Sequence, residues 1–407
     1  MIILPGALTA GTTDRLADRI DFWGGVDAGY VYASGHPSWT ESSGGKLRYT
    51  NGHAALRGFG ELRGRLTDTL SLTIAAEVGR DSTPQESGIT QAYLAWNPIP
   101  RSSIRHRFRV GAFYPQLSLE HTQPGWTNRH TLSGSALATW IAEELRTFGL
   151  EWRGSTRLSA LGTHHNLALS VSAFTNNDPT GSLLAWRGWS LHDRQSTLRD
   201  RLPLATLPLN RPGEVFAPQA PFTAPFREVD NRLGYAATAQ YRYRSDSIFQ
   251  VGYYDNRGDP TALEDGQYAW NTRFAHVGVE LPFAEDWVFV SQWLRGSTSM
   301  GPVFGGRNAV DAQIETRFAL LGLTTQRGNA AIRVDQFDVD DRDQLVADNN
   351  NERGRALTLF YRHRLTDNTS LVFEYLNVRT ERPIWEFNNL DPVETESQVQ
   401  LRAQFRF

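Results

Sequence analysis

The chain predicts an all-β fold: a transmembrane up-and-down antiparallel β-barrel of about sixteen strands with an inward-folded constriction loop. Three observations predict it. The first is alternation at the C-terminus. Thr395, Ser397, Val399, Leu401, Ala403, Phe405 and Phe407 share one face, while Glu396, Gln398, Gln400, Arg402, Gln404 and Arg406 share the other. A period of two suits a strand whose faces meet different surroundings. The second is spacing, because such segments recur down the chain and the gaps between them alternate long and short. The third is composition. Mean hydropathy is −0.43, and no run reaches the roughly 18 apolar residues of a membrane helix. Yet 12 Trp, 13 Tyr and 21 Phe match the aromatic girdles of a barrel.

The segments follow in order. The first covers 20–33, with Phe22, Gly24, Val26, Ala28, Tyr30 and Tyr32 in register. In 54–66, Leu56, Leu62 and Leu66 alternate with Arg57, Phe59, Glu61, Arg63 and Arg65. After a tight Thr67-Asp68-Thr69 turn, 70–80 places Leu70, Leu72, Ile74, Ala76 and Val78 on one side. Then come 88–97, 104–114, 146–155, 165–174, 231–244, 247–256, 270–282, 286–297, 312–324, 329–338, 354–366, 369–380 and 394–407. Each is near the 9–11 residues, roughly, that cross a bilayer at a tilt.

Short gaps lie at 67–69, 98–103, 156–164, 245–246, 283–285, 325–328 and 367–368; long ones at 34–53, 81–87, 115–145, 175–230, 257–269, 298–311, 339–353 and 381–393. An up-and-down barrel with short turns at one end and longer loops at the other gives this asymmetry, and an even strand count puts both termini at the short-turn end. Residues 20–407 read as a single barrel domain, preceded by a signal remnant or periplasmic lead-in over 1–19. Met1–Ala10 lacks a basic start, but Ala7-Leu-Thr-Ala10 has the small residues found near a cleavage site.

Two gaps are too long to be featureless. The one at 115–145 contains Ser135–Leu145, a helix former that places Leu137, Trp140, Ile141 and Glu144 close together beside Glu143. It is expected to fold inward as a constriction, with a helix packed on top of the barrel as the alternative. The gap at 175–230, rich in Pro, Leu and Arg, reads as an ordered external excursion, a lid or a contact between subunits.

With the apolar face of each strand on lipid, the other face meets water. Ile104, His106, Phe108, Val110, Ala112 and Tyr114 then point out, and Arg105, Arg107 and Arg109 stack along the inner wall about 7 Å apart. The same parity places Arg57, Arg63, Arg65, Arg153, Arg242, Arg244, Arg317, Arg362, Arg364, Arg402 and Arg406 inside, with Glu61, Glu77, Glu151, Glu280, Glu315, Glu374 and Glu396 as inward acids. Pairs such as Arg402 with Glu396 or Arg317 with Glu315 would brace the wall. An arginine-lined pore favours small anionic solutes, and a guanidinium offers two-pronged binding to carboxylate or phosphate. The alternative is a structural or interaction barrel with a plugged lumen and loop-mediated partner binding.

Other chemistry finds little support. The net charge of −3 names no partner, and Lys46 is the sole lysine, a bias that base composition explains. The lack of cysteine fits a compartment where free thiols are a liability. Asp338–Asp343 lacks the Gly and distal Glu of an EF-hand loop, and His164-His165 sits in a turn, so no metal or other cofactor is expected. His130 and Ser133 lie near each other without a supporting acid, so no enzyme is expected. Strand-borne arginines are explained by an aqueous interior rather than by nucleic acid.

The terminal strand, with its aromatic last residue, resembles that of bacterial outer-membrane β-barrels, in which Phe405 and Phe407 would belong to the signal read by the insertion machinery. The overall pattern resembles general porins. Arg109–Glu120, followed by a long insertion and Leu145–Glu151, looks like the phosphate-selective porin O/P family, where a Gly-x-Phe strand leads into the constriction loop. That family relies partly on pore lysines, and this chain has a single lysine, so phosphate selectivity does not carry over. The resemblance implies an outer-membrane location among lipid and lipopolysaccharide, and a homotrimer packed through lipid-facing strands.

Overall fold

A computed structural model describes residues 19–79, 87–162, 164–244 and 247–407. The expected lead-in over 1–19 lies outside the described residues apart from Arg19, as do most of the gap at 81–87 and the link 245–246. Sixteen antiparallel strands close into one barrel. They are β1 (Ile20–Ser34), β2 (His53–Arg65), β3 (Leu70–Gly79), β4 (Ser87–Trp96), β5 (Arg105–Phe113), β6 (Thr147–Arg157), β7 (His165–Thr175) and β8 (Gly234–Tyr243). The second half is β9 (Ser247–Asp255), β10 (Asn271–Pro282), β11 (Trp287–Phe304), β12 (Arg307–Thr325), β13 (Gly328–Asp341), β14 (Glu352–Arg364), β15 (Thr369–Glu381) and β16 (Val393–Arg406). Each strand pairs with its sequence neighbour, and β16 closes on β1 from Gly25↔Arg406 to Ser34↔Ser397. Closure leaves no open edge, the condition for backbone in lipid.

The outer wall is a belt of exposed apolar side chains, among them Val26, Leu56, Val110, Leu150, Val251 and Leu401. No described helix is long and apolar enough to cross a membrane. Phe407 exchanges backbone hydrogen bonds with Gly24 and packs on Phe22 at 5.6 Å, so the terminal aromatics sit exposed at the short-turn end.

The expected loop at 298–311 is instead a hairpin. Strand β11 runs to Phe304 and β12 starts at Arg307. Gly305 and Gly306, with φ of 57° and 88°, make the two-residue turn that left-handed backbone allows. A register shift between Met300 and Val303 lets the ladder continue past the turn-like Gly301-Pro302.

The lumen is occupied by the chain itself, throughout its long-loop half and, at 123–132, in part of its short-turn half. Residues 114–146 cross it. Gly125 N–H donates to Glu61 on β2, Arg129 pairs with Glu280 on β10, and Leu132 and Ser133 N–H groups donate to Glu374 on β15. Helix α1 (Ala136–Glu144) starts at Ser135, whose hydroxyl accepts from Ala138 N–H, and all nine of its residues are buried. Burial on every side is what a helix inside a closed wall requires. Leu137, Trp140 and Ile141 pack with Leu294, Ile314, Phe337 and Leu376 of the wall.

The segment 176–230 departs from expectation. It is not simply external: Asn177–Asp200 enters the lumen, including the short helix α2 (Ser182–Trp186). Trp189 N–H donates to Glu352 on β14 at 2.9 Å, and Asp193 meets Arg402 on β16 at 2.7 Å. The inward arginines draw it in, because Asp193 also pairs with Arg48 at 2.9 Å and stands 4.0 Å from Arg57. Only the later part caps the long-loop end, where Leu202, Leu207 and Phe216 pack with Trp270 and Met300.

Candidate functional site

The short-turn half of the lumen carries the charged wall. Arg109 is held two-pronged by Glu151, Nε to Oε1 at 2.8 Å and Nη2 to Oε2 at 2.7 Å, with its guanidinium 4.3 Å from the Phe113 ring. Arg107 lies opposite Arg153, and Arg105 opposite Ser155. Arg153 donates to Ser170 Oγ and Gln240 Oε1, both at 2.8 Å. Arg242 follows Gln240 two residues on, on the same face of β8. Strand parity gives β5–β8 five inward arginines at these positions and one inward carboxylate, Glu151, which Arg109 already occupies. Among the described residues, Arg105, Arg107, Arg153 and Arg242 have no salt bridge.

Across the lumen, a cavity of about 330 Å³ is lined by Arg57, Arg129, Arg362, Arg364 and Arg406, with Asp27 as its one acid. Three of these are compensated: Arg57 by Glu77 at 2.8 Å, Arg129 by Glu280 at 2.7 Å and Arg406 by Asp27 at 2.5 Å. Among the described residues, the Arg362 guanidinium donates only to the Gln404 amide oxygen, at 3.2 Å. Near the short-turn end of β2, Arg63 pairs with Glu61 at 3.0 Å and stays half exposed.

Several expectations need correction. Arg317 and Glu315 face outward, because inward positions on β12 are Ile314, Thr316, Phe318 and Leu320. Arg317 donates to Gln336 and Glu315 lies 3.6 Å from Arg295, all on the outer wall. Arg402 is inward but sealed, fully buried on Asp193 rather than on Glu396, which instead accepts the Lys46 N–H. Tyr114 turns in, donating to the Ala142 carbonyl and stacking at 3.9 Å on Trp126, because β5 ends at Phe113 and the chain enters the lumen there.

Trp140, Glu143 and Glu144 lie in the inserted segment but do not meet water; they brace it. Glu143 binds Arg187 and the His192 ring. Glu144 accepts from Trp140 Nε1 at 2.6 Å and from the N–H groups of Gly181 and Leu183. Burial pushes the Glu143 carboxyl up, but Arg187 and His192 overcome it and hold it at about 2.

The sequence reading missed Arg333, the hub of the insert. Fully buried, it pairs with Asp335 at 2.9 Å and Glu120 at 3.1 Å and donates to the carbonyls of Ser133 and Gly134. Its signal was the Arg-x-Asp spacing opposite Ile332 and Val334 on β13. Arg129 carried no strand periodicity to reveal it.

No protein-family model matches the chain, and no curated protein matches it. Solved structures do. The outer membrane channel DcaP of Acinetobacter baumannii aligns with TM-score 0.60 at 11% identity, over 95% of this chain and 97% of that one. OprB of Pseudomonas putida aligns with TM-score 0.53 at 10% identity, over 98% and 96%. An anion-selective porin from Comamonas acidovorans aligns with TM-score 0.52 at 10% identity, over 95% and 99%. At such identities the likeness establishes the fold alone: the chain has the sixteen-stranded barrel of bacterial outer-membrane porins.

Proposed function

We propose that the chain is an outer-membrane porin through which small hydrophilic solutes diffuse passively, with a preference for anions. One observation carries the preference: the inward arginines Arg105, Arg107, Arg109, Arg153 and Arg242 on β5–β8 face a single carboxylate. A fixed positive wall offsets the partial dehydration of an anion entering a narrow passage. Planar guanidinium forks suit carboxylate and phosphate. Insertion through the terminal Phe405 and Phe407 and assembly as a homotrimer belong to the same reading.

Reversal potential across a planar bilayer in a salt gradient tests the preference. The expected shift toward anions shrinks in the combined Arg105→Ala, Arg107→Ala and Arg153→Ala variant. An unchanged reversal potential in that variant rules the wall out as its source. A second reading, a plugged barrel serving as a scaffold, draws on the occupied long-loop half of the lumen. Conductance steps from the wild type speak against it, and a silent bilayer speaks for it.

A further inference from the structure

We infer that residues 192–200 form a gate across the lumen, latched by Asp193, whose carboxylate fills a site that a free small carboxylate can take instead. The inference deepens the porin reading and rests on it. The stretch crosses from β16 to β4. At one end, Asp193 Oδ2 meets Arg402 Nη1 at 2.7 Å, and Oδ1 meets Arg48 Nη1 at 2.9 Å. At the other, Leu198 N–H donates to the Ile89 carbonyl of β4 at 2.8 Å. Between them, Gln195 Nε2 donates to the Gly125 and Trp126 carbonyls of the first insert, both at 2.9 Å. The stretch borders the cavity lined by Arg57, and Arg57 itself stands 4.0 Å from Asp193.

The way this stretch is held sets it apart from the rest of the inserts. Leu184, Trp189 and Leu191, just before it, belong to the apolar core. From His192 to Asp200 no side chain joins a hydrophobic cluster, although all but Leu198 and Arg199 are buried. Polar contacts hold it, and these exchange with water and ions at small net cost. The latch also leaves donors unused. Arg402 Nε and Arg57 Nε are buried with no acceptor among the described residues. Asp193 takes one nitrogen from each of Arg402 and Arg48. An untethered carboxylate can turn to take the two-pronged bond through Nε and Nη that a guanidinium favours. The Asp193 side chain is in effect an acetate on a leash, and a tethered group has an effective concentration on the order of millimolar, so free carboxylate at about tens of millimolar competes with it. Once the arginines hold a solute, Asp193 is released, the stretch lifts, and the cavity opens toward the long-loop end. The gate thus yields to the class of solute that an arginine-lined lumen favours.

The test uses the full-length protein in detergent, with Ser196→Cys as the one thiol of a chain that has no cysteine. Ser196 is fully buried, so an uncharged maleimide labels the variant only when the stretch has lifted. Acetate, the aspartate side chain set free, is the probe, and acetamide is its uncharged twin. At about 100 mM, acetate should speed labelling about tenfold and acetamide should leave it unchanged. Asp193→Asn, added to Ser196→Cys, should label fast without acetate, and alone it should conduct more than the wild type in a planar bilayer. A clamp gives the converse. A Cβ built at Gly88 lies 3.0 Å from Thr197 Cβ, within about half an ångström of a disulfide span. Oxidised Gly88→Cys with Thr197→Cys should lose the conductance that dithiothreitol then restores. Circular dichroism confirms that the variants are folded, and if Asp193→Asn is not, acetate against acetamide on Ser196→Cys decides. Equal labelling in acetate and acetamide overturns the inference. So does an oxidised clamp that conducts as its reduced form does. An anion-selective channel whose label ignores acetate defeats the gate alone, whereas a chain that fails to enter bilayers defeats the porin reading beneath it.

Discussion

Two arcs of one wall treat their interior in opposite ways. Along β5–β8 the inner face carries arginine, serine and glutamine toward the short-turn end, and the outer face is largely apolar. Along β11–β15 the inner face is largely apolar, with Leu294, Ile314, Phe318, Phe337 and Leu376 packed on the inserted segment. The outer face there turns polar toward the long-loop end, with Arg295, Glu315, Arg317 and Arg355. The difference teaches that a barrel strand is patterned by whatever occupies the lumen beside it. Where water lies inside, the inner row is charged; where the chain folds back inside, the inner row becomes core. Arg333, a charge kept in that core, is paired with Asp335 and Glu120 and hydrogen-bonded through all three guanidinium nitrogens, as burial demands.

The largest effect should come from breaking the core of the second arc. Arg333→Leu leaves Asp335 and Glu120 buried without their cation, and unseating the insert should lower stability by about 3–5 kcal/mol. Thermal unfolding in detergent, followed by circular dichroism, reads the loss, together with new proteolysis within 115–145. The same variant should leave anion selectivity intact if the two arcs act separately.

Acid should loosen the insert next. The folded Glu143 carboxyl sits at about 2 against an ordinary 4.5. The released segment therefore takes up a proton before the seated one does. Its contribution is complete above about 4.5 and is lost as pH falls toward about 2, on the order of a few kcal/mol. The pH midpoint of insert release should lie higher in Glu143→Gln than in the wild type, measured by protease cutting after brief acid exposure.

Within the charged arc, the arginines should not be equal. Arg109→Ala removes a cation that Glu151 already neutralises, so it should alter selectivity little. Arg107→Ala, which removes a cation without a carboxylate partner, should alter it more. Reversal potentials of the two single variants sharpen the comparison, and equal shifts would break it. The smallest effect belongs to Arg317→Ala. Outward and exposed, it should change stability by under about 0.5 kcal/mol and leave reversal potential where it was.

The strand order, the alternation of loop lengths except at 298–311 and the closing role of the last strand were legible in the sequence, because lipid imposes period two on every crossing. The arginines of β5 and β6 were legible for the same reason, since His106, Phe108 and Val110 fix the parity there. Arg317 and Glu315 were not. The run Phe318-Ala-Leu-Leu-Gly-Leu323 is apolar on both faces, so parity cannot be read from it. Asp193 was hidden for another reason: its partner Arg402 lies 209 residues away, and a contact in the lumen leaves no local pattern. The burial of 177–200 follows from such distant pairings, so composition alone made it look like an outside loop.

The only lysine has a use of its own. Lys46 is buried at 1% exposure, with its ammonium on Glu352 and on the Arg187 carbonyl, where the first long loop meets the second insert. A lysine-selective acylating reagent therefore finds no lysine side chain to attack while the inserts are seated. Modification of that single side chain becomes a clock for their departure, readable in one peptide and without any engineered label.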